Sequence, residues 1–80
     1  MQAGYLVGKW IESKLKSMGT NAVIAWLASK IGQTLAKQMV TRVVQVGATA
    51  AASYIAALIG ANGAIAGPLG FIIGLATGWL

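Results

Sequence analysis

The chain has no cysteine and no histidine, a single proline, and one acidic residue, Glu12. Without cysteine there is neither a disulfide nor a thiolate metal site, and the redox compartment leaves no trace. Without histidine, and with one carboxylate, neither a metal cage nor a general acid/base pair can be assembled. Ser13, Ser17, Ser29 and Ser53 have no imidazole to activate them. The glycine-rich segment lacks the Lys-Ser/Thr of a phosphate loop and follows no strand pattern. These absences read as a protein that is not an enzyme and takes no metal or other cofactor. A water-soluble chain of 80 residues buries only about two-thirds of its unfolded surface, so it needs some staple. With disulfides and metal excluded, the remaining staples are backbone cyclisation, oligomerisation, a membrane, or dense helix packing.

What the chain does have is apolar sequence and positive charge. It is 58% hydrophobic with a formal net charge of +5. Every charged residue lies between Lys9 and Arg42; from Val43 to Leu80 there is none. A cationic amphipathic half joined to an uncharged Ala/Gly/Ile-rich half points to anionic membrane lipid as partner. Nucleic acid is not expected, because the six cations are spread over three segments of a very apolar body. Lys9, Glu12, Lys14 and Lys16 interrupt any apolar signal-peptide core, so the sequence reads as leaderless or already processed.

The spacing predicts a single all-α domain over residues 1–80, with helices at about 2–17, 21–32, 34–46, 48–59 and 64–79. In the first, Ala3, Leu6, Val7, Trp10, Ile11 and Leu15 form one stripe, and Glu12 stands four before Lys16, a stabilising pair. Gly19 is the expected stop, and Thr20 or Asn21 the expected cap of the second helix. That helix presents Val23, Trp26, Leu27 and Ile31 and ends at Gly32. The third segment is the cleanest. Leu35, Ala36, Met39, Val40, Val43 and Val44 take one face; Thr34, Lys37, Gln38, Thr41, Arg42 and Gln45 take the other. Gly47 is its stop. Residues 48–59 are apolar nearly all round, which suits a central core helix or a lipid-facing one. Residues 60–63, Gly-Ala-Asn-Gly, read as a turn. Beyond it, Pro68 suits a first helical turn, and Gly70, Gly74 and Gly78 share a face with Ala66. Such a face permits close helix packing, within a bundle or between copies in a membrane. Residues 43–59 and 64–80 suit two short membrane spans as well as two helices of a compact bundle.

Two groups of residues are candidates for membrane contact. Trp10, Trp26 and Trp79 carry amphipathic rings of the kind that settle at a lipid–water interface, although Trp10 and Trp26 also fit core positions on their stripes. Lys9, Lys14, Lys16 and Lys30 lie on consecutive helices joined by Gly19-Thr20-Asn21, and a hairpin gathers them into one patch. Lys37 and Arg42 read equally well as a solvated face.

From Lys14 onward the sequence resembles a known family. Lys14-Leu15-Lys16, Gly19, the unbroken run Ala22-Val23-Ile24-Ala25-Trp26, then Ala28, Lys30, Gly32 and Val43-Val44 are similar to the circular enterocin-type bacteriocins. The resemblance covers about residues 10–65, and Ala22–Trp26 is its most specific part. It implies a saposin-like bundle of about five short helices with the backbone closed head to tail. It also implies a secreted antibacterial protein whose cationic patch, including Lys14, Lys16 and Lys30, binds and permeabilises anionic bacterial membranes, alone or as a small homo-oligomer. Ser17, Thr20 and Asn21 are less basic than the matching positions of that family. Trp26 is internal here, whereas the family's ligated bond follows the matching Trp. A linear homologue and a ring closed between Leu80 and Met1 both fit. The alternative function is a small pilin-like or membrane-assembly subunit, polymerising through the glycine-rich apolar helices.

Overall fold

The computed structural model describes residues 2–65 and 67–70. Expectations for Met1, Ala66, Gly74, Gly78, Trp79 and Leu80, including the head-to-tail junction, lie outside the described residues. Among those described, every regular element is helical: α1 (Gln2–Met18), α2 (Thr20–Ile31), α3 (Gln33–Ala61), a 3-10 turn (Gly63–Ile65) and a helical stretch at 67–70. The all-α class is as expected. The break expected at Gly47 is present, since residues 33–61 are two helices joined there by a non-helical glycine, while most of the expected fifth helix, 64–79, lies outside the described residues.

The chain turns at single glycines. Gly19, Gly32 and Gly47 have φ of 86°, 92° and 84° with ψ of 163°, 153° and 166°. A Cβ makes this region of backbone space prohibitive, so only glycine adopts it without strain. Each corner serves both neighbours. The Gly19 N–H donates to Leu15 C=O at 3.1 Å, and its own C=O accepts from Val23 N–H at 3.1 Å. Gly32 repeats this with Ala28 (3.0 Å) and Ala36 (3.1 Å). The expected side-chain cap from Thr20 or Asn21 is therefore not made. The glycine itself occupies the cap position, Thr20 is already helical, and no side-chain cap bond forms.

At Gly47 the same non-helical conformation breaks α3 into two helices, 33–46 and 48–61. The bend brings the Arg42 guanidinium to 4.3 Å from the centre of the Tyr54 ring. In a straight helix twelve residues span about 18 Å, beyond the reach of these side chains, so the contact depends on the kink. Asn62 then stops α3: its backbone N–H and its side-chain amide both donate to Leu58 C=O at 3.0 Å. The predicted turn thus begins at Asn62, and Gly60 and Ala61 remain helical.

Val7, Trp10 and Ile11 of α1, Val23, Leu27 and Ile31 of α2, and Met39, Val40 and Val43 of α3 make the centre of one core, joined by Ile65 and Leu69. Burying each such aliphatic side chain contributes about 1.5–3 kcal/mol. Val44 departs from expectation and is 56% exposed. At about 100° per residue it lies some 40° outside the arc from Met39 to Val40 that faces the core.

The tightest packing is between α1 and the second half of α3. A Cβ on Gly4 would run into the Ala52 carbonyl oxygen and lie 3.0 Å from Ala56 N. One on Gly8 would lie 3.2 Å from Ala48 O and 3.3 Å from Ala48 Cα. Two small residues four apart on α1 thus face Ala48, Ala52 and Ala56, also four apart, and the two backbones nearly touch. This seam was not anticipated. Gly70, the described member of the expected glycine face, is exposed, and a Cβ there would meet nothing within 4 Å among the described residues.

Candidate functional site

Glu12 is where the charge of α1 meets α3. Its Oε1 accepts from Lys9 Nζ at 3.2 Å, and its Oε2 accepts from the backbone N–H of Ala48 at 3.4 Å. Ala48 follows the Gly47 kink, where the second half of α3 starts with N–H groups that have no partner within the helix. Glu12 therefore acts as a cap supplied from another helix, with its negative charge at the positive end of the dipole. The Lys9 hydrogen bond holds its carboxyl below the usual 4.5; desolvation opposes it, and the Ala48 N–H adds a lesser lowering effect. The ion partner differs from the expected one. Glu12 pairs with Lys9, three residues earlier, and exposed Lys16 adds only a weak longer-range attraction. The contact to Ala48 decides this, because it fixes the carboxylate on the side of α1 that faces α3.

The nominated tryptophans occupy different environments. Trp10 is in the core at 4% exposure, and its Nε1 has no hydrogen-bond partner among the described residues. Trp26 is half-buried and packs on it, with ring centres 5.0 Å apart and planes tilted by 41°. Lys30 Nζ sits 5.4 Å from the Trp26 ring centre. The result is a stack running from the core through Trp10 and Trp26 to an exposed ammonium, with cation–π attraction at its outer end.

The nominated lysines divide in the same way. Lys9 is tied to Glu12, Lys30 is stacked on Trp26, Lys14 is half-buried, and Lys16 is exposed near the α1–α2 corner. Gly19 to Lys30 is eleven residues, about 16 Å of helix, so Lys30 is at the opposite end of α2 from Lys16. The geometry gathers Lys30 with Trp26 and Trp10 and leaves Lys14 and Lys16 near the corner.

Sequence reasoning missed the Glu12–Ala48 cap and the Gly4/Gly8 seam. The spacing Gly4-x-x-x-Gly8 against Ala48-x-x-x-Ala52-x-x-x-Ala56 is a readable signal, of the same kind as the glycine repeat noticed at 70–78.

The arrangement offers no nucleophile–base pair, and no group of three or more potential metal ligands occurs among the described residues. It offers cations on an apolar body. Set against known protein families, characterised proteins and solved structures, the chain matches none.

Proposed function

We propose that this is a membrane-active antibacterial protein of the circular-bacteriocin type, a saposin-like bundle that binds anionic membranes and permeabilises them. The observation that carries the reading is a mismatch in α3. The most apolar window of residues 33–61, a stretch that the Gly47 break divides into two helices, has the composition of a membrane-contacting segment, yet only 22% of it is buried. A core helix of that character is normally covered by its neighbours. In this reading the uncovered surface meets lipid. Lys14, Lys16 and Lys30 supply the approach, each attracted to an anionic surface by about 1 kcal/mol. Lys30 and half-buried Trp26 place a cation and an amphipathic ring side by side, as an interface requires. Lys9 joins them only by leaving Glu12. Trp10 supports Trp26 from beneath.

The test is binding and dye leakage with phosphatidylglycerol vesicles, against phosphatidylcholine vesicles as control. The parent should bind and leak the anionic vesicles, more weakly as salt rises. Replacing Lys14, Lys16 and Lys30 together by Gln should weaken binding and flatten its salt dependence. Unchanged binding would remove the lysines from the mechanism. Filaments in negative stain without leakage would favour the structural-subunit alternative.

A further inference from the structure

We propose that the elbow of α3 is a binding groove for the phosphodiester head group of an anionic glycerophospholipid, with Lys37 and Arg42 on the phosphate and Gln38 and Gln45 on the head-group hydroxyls. The kink at Gly47 creates the groove. The polar face of the first half of α3 forms its floor, Tyr54 from the second half closes it, and the space is about 520 Å³. A polyol phosphate is a reasonable occupant of that volume.

The charge of the lining selects an anion. Lys37 and Arg42 both line the groove, and no carboxylate does, since the chain's one acid, Glu12, is engaged by Lys9 and Ala48. A solvated helix face ordinarily intersperses both signs. Here two cations stand among amide and hydroxyl side chains, Gln38, Thr41 and Gln45 among them, all able to donate to phosphate or hydroxyl oxygens. Arg42 is already held over the Tyr54 ring at 4.3 Å, so part of its ordering cost is met before a ligand arrives.

Exposed apolar groups beside the groove select a lipid over free phosphate. Val44 and Val46, 56% and 47% exposed, flank groove-lining Gln45. They add nothing to the binding of a small anion, but acyl methylenes can cover them. Choosing lipid as the source of the phosphate rests on the membrane reading proposed above. The residues are distinct from the lysines named there.

The test uses the full chain and monomeric short-chain lipid, so that no bilayer is involved. Titration of 15N-labelled protein with dihexanoyl phosphatidylglycerol, below its micelle concentration, should give saturable NMR shifts at the Gln38 and Gln45 side-chain amides and at Arg42 Nε–H. The variant K37Q/R42Q should bind roughly tenfold more weakly with unchanged helical circular dichroism. The single variants K37Q and R42Q provide the same comparison should the double variant lose helicity. Parent-like affinity in K37Q/R42Q, or equally tight binding of dihexanoyl phosphatidylcholine or of inorganic phosphate, overturns the assignment. Groove binding without vesicle leakage would remove the permeabilisation reading alone; leakage without groove binding would remove this inference alone.

Discussion

Helix α1 is held by two contacts of opposite character. Toward α3 it presents glycines, and the contact is backbone against backbone, Gly4 and Gly8 on Ala48, Ala52 and Ala56, closed by the Glu12 carboxylate. Toward α2 it presents a large aromatic ring, Trp10, which meets Trp26. The first contact is broken by an added methyl at Gly4, and the second depends on not losing any atom. Dispersion and close approach hold the glycine side, whereas buried area holds the aromatic side.

The largest effect expected on this contrast is truncation of the aromatic side. Trp10→Ala should cost about 4 kcal/mol, read from urea unfolding. Trp10→Phe should cost far less, because it keeps most of the ring and removes an indole N–H that has no partner among the described residues. Equal losses in the two variants would mean that Trp10 does not act through buried area.

The glycine side breaks by addition. Gly4→Ala should destabilise by about 2 kcal/mol, since the new methyl meets the backbone of Ala52 and Ala56, which cannot rotate away. Gly8→Ala meets Ala48 less severely, and the gain of about 1 kcal/mol in helix propensity offsets it, so its net change should stay under about 1 kcal/mol. Identical melting temperatures for the two variants would show that the close approach at Gly4 is not what holds α1.

The carboxylate closing the seam comes next. Its carboxyl is held below 4.5 in the fold, first by Lys9 and then by the Ala48 N–H. A depressed carboxyl stabilises the fold above its unfolded value, and that contribution is lost as pH falls through the lower folded value. Melting temperature should therefore drop on acidification below pH 4.5, and Glu12→Gln should flatten that limb. At neutral pH the substitution should cost about 1 kcal/mol, no more, because the pair is partly solvated. The smallest effect is Lys30→Gln at the outer end of the aromatic stack, under about 1 kcal/mol in stability. Its measurable consequence should be weaker binding to anionic vesicles.

The two contacts also differ in how legible they were. Stripes with aromatic and branched residues announce themselves by period, and the core position of Val7, Trp10 and Ile11 follows from spacing alone. Gly19, Gly32 and Gly47 were readable because each interrupts a stripe. The seam was not read, since glycine and alanine on opposing helices carry no hydropathy contrast and their partners are far apart in the chain. The same limit applies to Glu12, whose nearest candidate partners by sequence were lysines on its own helix, while the Ala48 N–H exists as a free donor only because of the kink. Trp10 and Trp26 share the stripe pattern and differ in burial, because Trp26 packs on the outside of Trp10. Val44 was misplaced because a broad apolar arc reads the same whether its margin is covered or open.

The single-glycine corners bear on how the chain meets proteases. A protease draws several residues of extended backbone into its cleft, and such segments usually come from loops. At Gly19 and Gly32 one helix passes into the next through a single residue, and Lys16 and Lys30 lie on helix nearby. Cleavage after either lysine first requires a neighbouring turn of helix to open. The rate of digestion is then set by the free energy of that opening rather than by the protease's preference for lysine.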